Sequence, residues 1–521
     1  MTSTPVHHAG RRLAFALIGV LAAIGGMAAG HLVAAFVNPA ASPVLSVGST
    51  LIDLTPTPLK EFAIAQFGTA DKAVLLGSIG VVTILFAAAA GLLSRRRPKV
   101  GLGLVVLLVV LAGAAAMTRP TAALADLVPA VVTGIVGVAI LLGLRWVLLG
   151  APRRAGSPAP SLPEDAHVEG GSRRQFLVGA AGVTAGAVVV AGAGQRIAAS
   201  AADPSSVTLP AAANASPPLP AGIEAQVPGV SRFRTPTAEF YRVDTNLAVP
   251  QVAKSSWRLE IDGDVKNPFT LTFDELAAMP LIERDITMTC VSNEVGGGYM
   301  GSARWLGVKV TDILDRAGVG SGADQLFSTA VDGYTISTPL AVVRDGRDAM
   351  VAIGMNGTAL PDTHGFPARL ITPGIYGFVG ATKWLTKLTL TTYAAQQAYW
   401  TKRDWATDAP IKTSARIDTP APLTTIQPGR TAIGGVAWAQ HRGVGKVEVK
   451  IDGGAWQPAM LGPDAGVDYW RQWYLPWDAT SGQHTVAVRA VDLTGAVQIE
   501  KRATPFPDGS SGIQEVVVLV A

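Results

Sequence analysis

Four long apolar runs occupy the first third of the chain, and nothing else constrains its fold as strongly. They cover roughly Leu13–Val37, Ala73–Ser94, Val100–Met117 and Leu127–Leu149. Each approaches the ~20 residues a helix needs to cross a hydrocarbon core. One such run is compatible with a buried helix, but four in succession predict membrane spans. Composition agrees, with 49% hydrophobic and only 15% charged residues. The net charge of +4 is too mild to indicate a nucleic-acid partner, and none is expected.

Basic residues set the expected orientation. Arg11 and Arg12 precede the first run, Arg95, Arg96, Arg97 and Lys99 lie between the second and third, and Arg145, Arg153 and Arg154 end the fourth. The positive-inside rule places these segments in the cytoplasm. Residues 1–150 therefore read as a four-helix transmembrane region. Residues 151–194 read as a cytoplasmic loop followed by "SRRQFLVGAAGVTAGAVVVAGAG" (Ser172–Gly194). That stretch resembles a twin-arginine export signal and also suits a fifth span. Either way, everything after about residue 195 is expected on the extracytoplasmic side of a bacterial plasma membrane. A b-type haem would need axial histidines, but His31 alone lies within a span, so no haem is expected and the helices read as an anchor.

Residues 195–234 are rich in Ala, Pro and Ser and read as an extended, flexible tether. Residues 235–410 mix short strands and helices without βαβ regularity, which argues for an α+β domain. "TFDELAAM" is predicted to be a helix with Thr272 as N-cap and Glu275 closing a capping box. "KVTDILDRAG" is predicted to be another, ended by Gly318. Residues 411–521 hold short strands separated by turn residues, with Asp452–Gly453 a hairpin signal. They are predicted to form an immunoglobulin-like sandwich. The fold class is therefore multi-domain: transmembrane helices, an α+β domain, then an all-β sandwich.

The chain has one cysteine, Cys290, in "TMTCVSNEVGGG". No intramolecular disulfide is possible. A lone thiol in an exported domain is an inert buried side chain, an intermolecular link, or a reactive or metal-binding thiolate.

"TMTCVSNEVGG", "ARWLGVKVTDILDRAG", "LPDTHGFPARLITPGIYGFVGATKWL" and "WTKRDWATDAPIKTSARI" occur in that order. Together they resemble segments of the sulfite oxidase family of molybdopterin enzymes, over about residues 235–521. The resemblance implies a molybdopterin-binding catalytic domain and a C-terminal immunoglobulin-like dimerisation domain, hence a possible homodimer. It implies a molybdenum–molybdopterin cofactor with Cys290 as the metal ligand, and a soft thiolate suits that metal. It further implies pterin contacts from His364 and Arg369, and a phosphate-binding segment at Gly380, Thr382 and Lys383. Tyr241 and Arg242 fall at an early cofactor- or substrate-facing turn, and Asn293 at a support of the thiolate loop. Without the resemblance, Arg369 and Lys383 would read as surface cations and Asn293 as a turn residue.

Two departures stand out. The family has two arginines after the asparagine, where this chain has Glu294 and Val295. A carboxylate there would repel sulfite. Trp405 stands where the family places an active-site tyrosine. The glycine run Gly296–Gly298 reads as an adaptable lip over the site or as a plain flexible loop. The implied function is a membrane-anchored molybdopterin oxidoreductase catalysing two-electron oxygen-atom transfer, with sulfite disfavoured. It would exchange electrons with an unidentified redox partner. The alternatives are an inactive cofactor-binding or cell-envelope protein, and a transporter with a regulatory domain.

Overall fold

The computed structural model describes residues 5–56, 59, 62–63, 66–67, 70–149, 173–201 and 203–521. The loop expected after the fourth apolar run, with Arg153, Arg154 and His167, lies outside the described residues. The chain forms two compact units, Met1–Ala202 with Thr245–Gln251, and Asp203–Asp244 with Val252–Ala521.

The first unit is helical: α1 (Pro5–Val37), α2 (Pro43–Leu54), α3 (Asp71–Ser94), α4 (Pro98–Met117), α5 (Val128–Leu149) and α6 (Arg173–Ala201). Among the described residues, five helices are long and apolar enough to cross a membrane, α6 among them. Small residues let them approach. A side chain at Gly19 would overlap the Ala87 carbonyl of α3, and one at Gly91 would overlap the Phe15 carbonyl of α1. Small residues at such crossings let helix backbones pack closely. His31 has a neighbour the sequence did not reveal, the Ser42 hydroxyl 3.3 Å from its Nδ1.

The second unit begins at Asp203. Residues 195–201 continue α6, and the Ala/Pro-rich stretch beyond them is not a loose tether. Ile223, Val227, Val230 and Phe233 are buried. Asn214 N–H donates to the Leu281 carbonyl at 3.1 Å and Arg304 donates to the Pro217 carbonyl. Composition suggested an unstructured linker, but the widely spaced apolar residues find a groove and fix it.

Two sheets follow. One orders β2 (Phe269–Thr272), β1 (Arg258–Gly263), β10 (Leu385–Thr391), β5 (Gln325–Ala330) and β6 (Thr335–Pro339). The other orders β3 (Leu281–Thr289), β4 (Met300–Lys309), β7 (Met350–Met355) and β8 (Thr358–Ala359), with β9 (Arg369–Ile371) against β7. Of these pairings only β1 with β10 is parallel. Local signals placed the connections. Thr272 Oγ1 accepts from Glu275 N–H at 3.2 Å and Glu275 returns a carboxylate to Thr272 N–H at 2.8 Å, the predicted capping box. Helix Val310–Ala317 ends on Gly318 at φ +67°.

The C-terminal part is a β sandwich. One sheet orders β11 (Ser414–Thr419), β13 (Gly429–Trp438), β17 (Arg471–Ala479) and β16 (Met460–Leu461). The other orders β12 (Thr425–Ile426), β19 (Gln514–Val520), β18 (Gly482–Asp492), β14 (Val444–Ile451) and β15 (Gln457–Pro458). Val447, Val449, Trp473, Val486, Val488 and Val518 fill the space between them. The turn after β14 has Asp452 at φ +50° and Gly453 at φ +69°, the twisted geometry a tight hairpin requires. Sandwich and mixed sheets belong to one compact unit, so the expected division near residue 410 is not a break in packing.

Candidate active site

Cys290 follows directly on β3, so the sheet aims its side chain. A closed loop hangs from it. Cys290 N–H donates to the Tyr299 carbonyl at 2.9 Å, and Asn293 N–H donates to the Cys290 carbonyl at 3.0 Å. The buried Asn293 carboxamide accepts from Tyr299 N–H at 2.8 Å. The glycine run is therefore no adaptable lip. Gly296 adopts φ +81°, a Cβ there would crowd Gln514, and Arg416 clamps the Gly297 carbonyl at 2.9 Å. Asn293→Ala strips the Tyr299 N–H of its partner. It is expected to cost about 1–3 kcal/mol, read from chemical denaturation of the full chain by tryptophan fluorescence.

The Cys290 sulfur lies 2.8 Å from the Ser292 hydroxyl. Burial pushes the thiol up, while the Ser292 hydrogen bonds and the Lys383 charge oppose the rise. A metal would have to displace that proton, since only the thiolate ligates.

The segment His364–Lys383 doubles back on itself. Leu370 N–H donates to the Thr382 carbonyl and Leu385 N–H to the Ala368 carbonyl, both at 2.9 Å. This pairing brings Arg369 and Lys383 together across thirteen residues of sequence. Gly365 sits at φ +106°, where a Cβ would lie 3.0 Å from Lys383 Cα, so only glycine admits the approach.

Arg369 is 5% exposed. Its guanidinium lies over the Trp305 ring, 5.2 Å from the centroid, and donates to the His364 carbonyl at 3.1 Å. Its buried Nε has no hydrogen-bond partner, and no carboxylate pairs with it among the described residues. Burial pulls it down to about 10, with Tyr241 opposing. His364 is driven to about 4, first by burial and then by Arg369, so its imidazole is neutral at neutral pH. Nε2 donates to the Thr237 carbonyl at 3.2 Å, which leaves Nδ1 as an acceptor. Burial, then the Cys290 charge, hold the Tyr241 phenol well above its usual range, so it remains a donor. Lys383 Nζ and Arg242 Nε both donate to the same oxygen of Asp244, at 2.9 and 2.8 Å.

Not every expected residue faces this cluster. The Thr382 hydroxyl is fully buried and pairs with Ser328 at 2.6 Å, tying the segment to β5. A Cβ at Gly380 would lie 2.6 Å from Ile375 Cγ1, so the glycine serves packing rather than ligand approach. Trp405 packs on Phe378, Trp400 and Phe506 with ring centroids 5.3–5.6 Å apart, in an aromatic wall. Tyr334 and Tyr376 were missed by the sequence reading. Both phenols lie in the field of the Cys290 sulfur; burial pushes Tyr376 up to about 12 and Tyr334 higher still. Tyr376 was visible inside the "PGIYGFVG" segment, whereas Tyr334 on the β5–β6 turn carried no signal.

A buried guanidinium without an acid, two more cations, neutral donors and one thiol fit an anionic, polar cofactor bound with a soft metal. Residues 246–400 match the family model described as oxidoreductase molybdopterin binding domain. The sulfite oxidase of Gallus gallus is 28% identical over 315 residues, covering 51% of this chain and 68% of that protein. The mitochondrial sulfite oxidase of Homo sapiens is 29% identical over 314 residues, covering 50% and 56%.

The chain carries an oxidoreductase molybdopterin binding domain and is similar to the sulfite oxidases.

The family resemblance extends to structure. The sulfane dehydrogenase SoxCD of Paracoccus pantotrophus superposes with a TM-score of 0.50 at 25% identity, covering 55% of this chain and 82% of that one. A nitrate reductase of Oryza sativa is 28% identical, but the match spans only 35% of its length. These relatives differ in the substrate their names give. The six helices α1 to α6, which end at Ala201, lie outside the residues matched by the family model.

Proposed function

We propose that this chain is a membrane-anchored, outward-facing molybdopterin oxidoreductase that performs two-electron oxygen-atom transfer on an uncharged, sulfoxide-like substrate. The observation that carries the cofactor assignment is Arg369, a buried cation with an unpartnered Nε whose charge acts on the same Tyr241 phenol as the Cys290 sulfur. Such a charge is costly unless an anion completes it. The molybdenum–pterin group, when bound, supplies the redox chemistry.

The chain's own residues hold and shape it. Cys290 ligates the metal. Arg369, Lys383 and Arg242 face the anionic and polar edges, and neutral His364 offers Nδ1 to a ring N–H. Tyr241, Tyr334 and Tyr376 stay protonated and can donate to an oxygen carried by substrate. Asn293 supports the thiolate loop from behind. Trp405 contributes an apolar wall where the family has a hydroxyl.

Substrate charge follows from the two departures. Glu294 is exposed on the thiolate loop and Val295 brings no cation. Arg416 reaches the same loop but is paired with Asp418 at 2.6 Å. At this loop an anion such as sulfite meets repulsion, and the one guanidinium named there is already engaged by Asp418. Five apolar helices, basic flanks and the Arg173–Arg174 start of α6 support anchoring with the cofactor domain outside. The sandwich is read as immunoglobulin-like and as a homodimer contact, and electrons pass to or from a separate redox partner.

Purified full chain is assayed with a reduced viologen dye plus an aryl methyl sulfoxide or an N-oxide, and with sulfite plus an oxidising dye. Sulfoxide turnover exceeding sulfite turnover at least about tenfold is expected, the equivalent of one differential interaction of ~1.4 kcal/mol. Faster sulfite turnover overturns the substrate reading. Stoichiometric cofactor with no turnover of any of the three would favour an inert binding protein.

A further inference from the structure

The cationic cluster contains a carboxylate that an anion-binding site would be expected to exclude. Asp244 is 4% exposed at its side chain, yet one of its oxygens accepts from both Arg242 Nε and Lys383 Nζ. The two cations differ in freedom. Arg242 remains 38% exposed and Lys383 only 13%. They come from distant parts of the sequence and repel one another, so nothing in their own chemistry holds them together.

Resting on the cofactor reading above, we infer that Asp244 is a positioning residue that clasps Arg242 and Lys383 into a single two-pronged cation for the anionic group of the pterin cofactor. The donor count allows it. An ammonium has three N–H groups and a guanidinium five, so each keeps donors after bonding to Asp244. The charge count allows it too. Arg242, Arg369 and Lys383 less Asp244 leave two positive charges, which match a phosphate of about −1.5 to −2. Asp244 therefore need not leave when the cofactor arrives.

The clasp has a second effect. Lys383 faces Asp244 and Arg242 from the segment before β1, Arg369 from β9, and the Cys290 sulfur beyond β3. Burial and the two arginines pull the ammonium down to about 8, and Asp244 alone among the named causes holds it up. Without that carboxylate, Lys383 would lose its proton at lower pH and one prong would lose its charge.

The test uses full chain loaded in a cofactor-competent host and dialysed at pH 6 to 9, with molybdenum and pterin measured per chain. The wild-type protein is expected to retain both across this range, because the bound anion holds the Lys383 proton more firmly still. In Asp244→Asn loss should set in within the range and grow as pH rises. In Asp244→Asn with Lys383→Arg, whose guanidinium stays charged, retention should again be independent of pH over this range. Asp244→Glu, which keeps the charge, should follow the wild type, and it serves if the asparagine variant fails to fold. Unchanged retention in Asp244→Asn overturns the inference. So does equal loss at every pH that Lys383→Arg does not restore, or early loss in Asp244→Glu. A wild type that holds no molybdenum brings down the cofactor reading and this inference together, whereas a loaded wild type with an unaffected Asp244→Asn removes only the inference.

Discussion

Cys290→Ser is expected to abolish molybdenum-dependent turnover while leaving the fold intact. Serine is close in size, and the thiol makes one side-chain contact of note, to Ser292 at 2.8 Å. Stability should move by no more than about 1 kcal/mol, because no cavity opens and no buried charge is stranded. The electronic change is much larger. A hard hydroxyl replaces a soft thiolate, and it does not surrender its proton in a half-buried site. Loss of an outer partner of a metal ligand costs roughly 10–100-fold, so loss of the ligand itself should exceed about 100-fold. Turnover with the reduced dye and an unchanged unfolding midpoint are the paired readouts. Retained turnover in a folded Cys290→Ser protein would mean that the thiol is a small buried hydrophobe after all.

The second large effect runs in opposite directions for the empty and loaded protein. Arg369 lies buried with an unpartnered Nε and no acid of its own. Methionine has similar length and could lie on the same Trp305 face. In the cofactor-free chain, Arg369→Met removes a desolvated charge and gives up one hydrogen bond, that to the His364 carbonyl. The net should be a gain of about 1–3 kcal/mol in stability. In a cofactor-competent host the same variant should hold far less pterin, because the buried cation that the anion completes is gone. The empty form is made in a host lacking the cofactor pathway and compared by denaturant titration; the loaded form is assayed for pterin fluorescence. A destabilised empty variant, or one that still loads fully, would show that Arg369 is structural. A site kept costly when empty and stable when filled is one in which function has been placed above stability.

Local chemistry made parts of this architecture readable in advance. The capping box at Thr272 and Glu275, the left-handed stop at Gly318 and the Asp452–Gly453 turn each depend on residues within a few positions of one another. The Cys290 and His364–Lys383 segments were readable through resemblance to a family, and the structure supplies the geometry: β9 pairs back on residues 382–385, bringing distant cations together. What escaped was long-range. Asp244 and Tyr334 owe their places to partners 139 and 65 residues away, Lys383 and Tyr399, and no local pattern marks them. The stretch 203–234 looked like a tether because proline and alanine dominate it, yet a few apolar anchors outweigh that composition. Gly296–Gly298 looked mobile, but Arg416 and Gln514 of the sandwich brace it. Thr382 and Gly380 carried the right identities at the right spacing, and they serve the segment's own packing.

Molybdenum X-ray absorption of the full chain, beside Cys290→Ser, tests the central claim most directly. The account predicts one protein sulfur at the metal in addition to the dithiolene pair, and its loss in the variant. A metal with the same sulfur neighbours in both proteins, or a wild-type chain from a cofactor-competent host that contains no molybdenum, would contradict it.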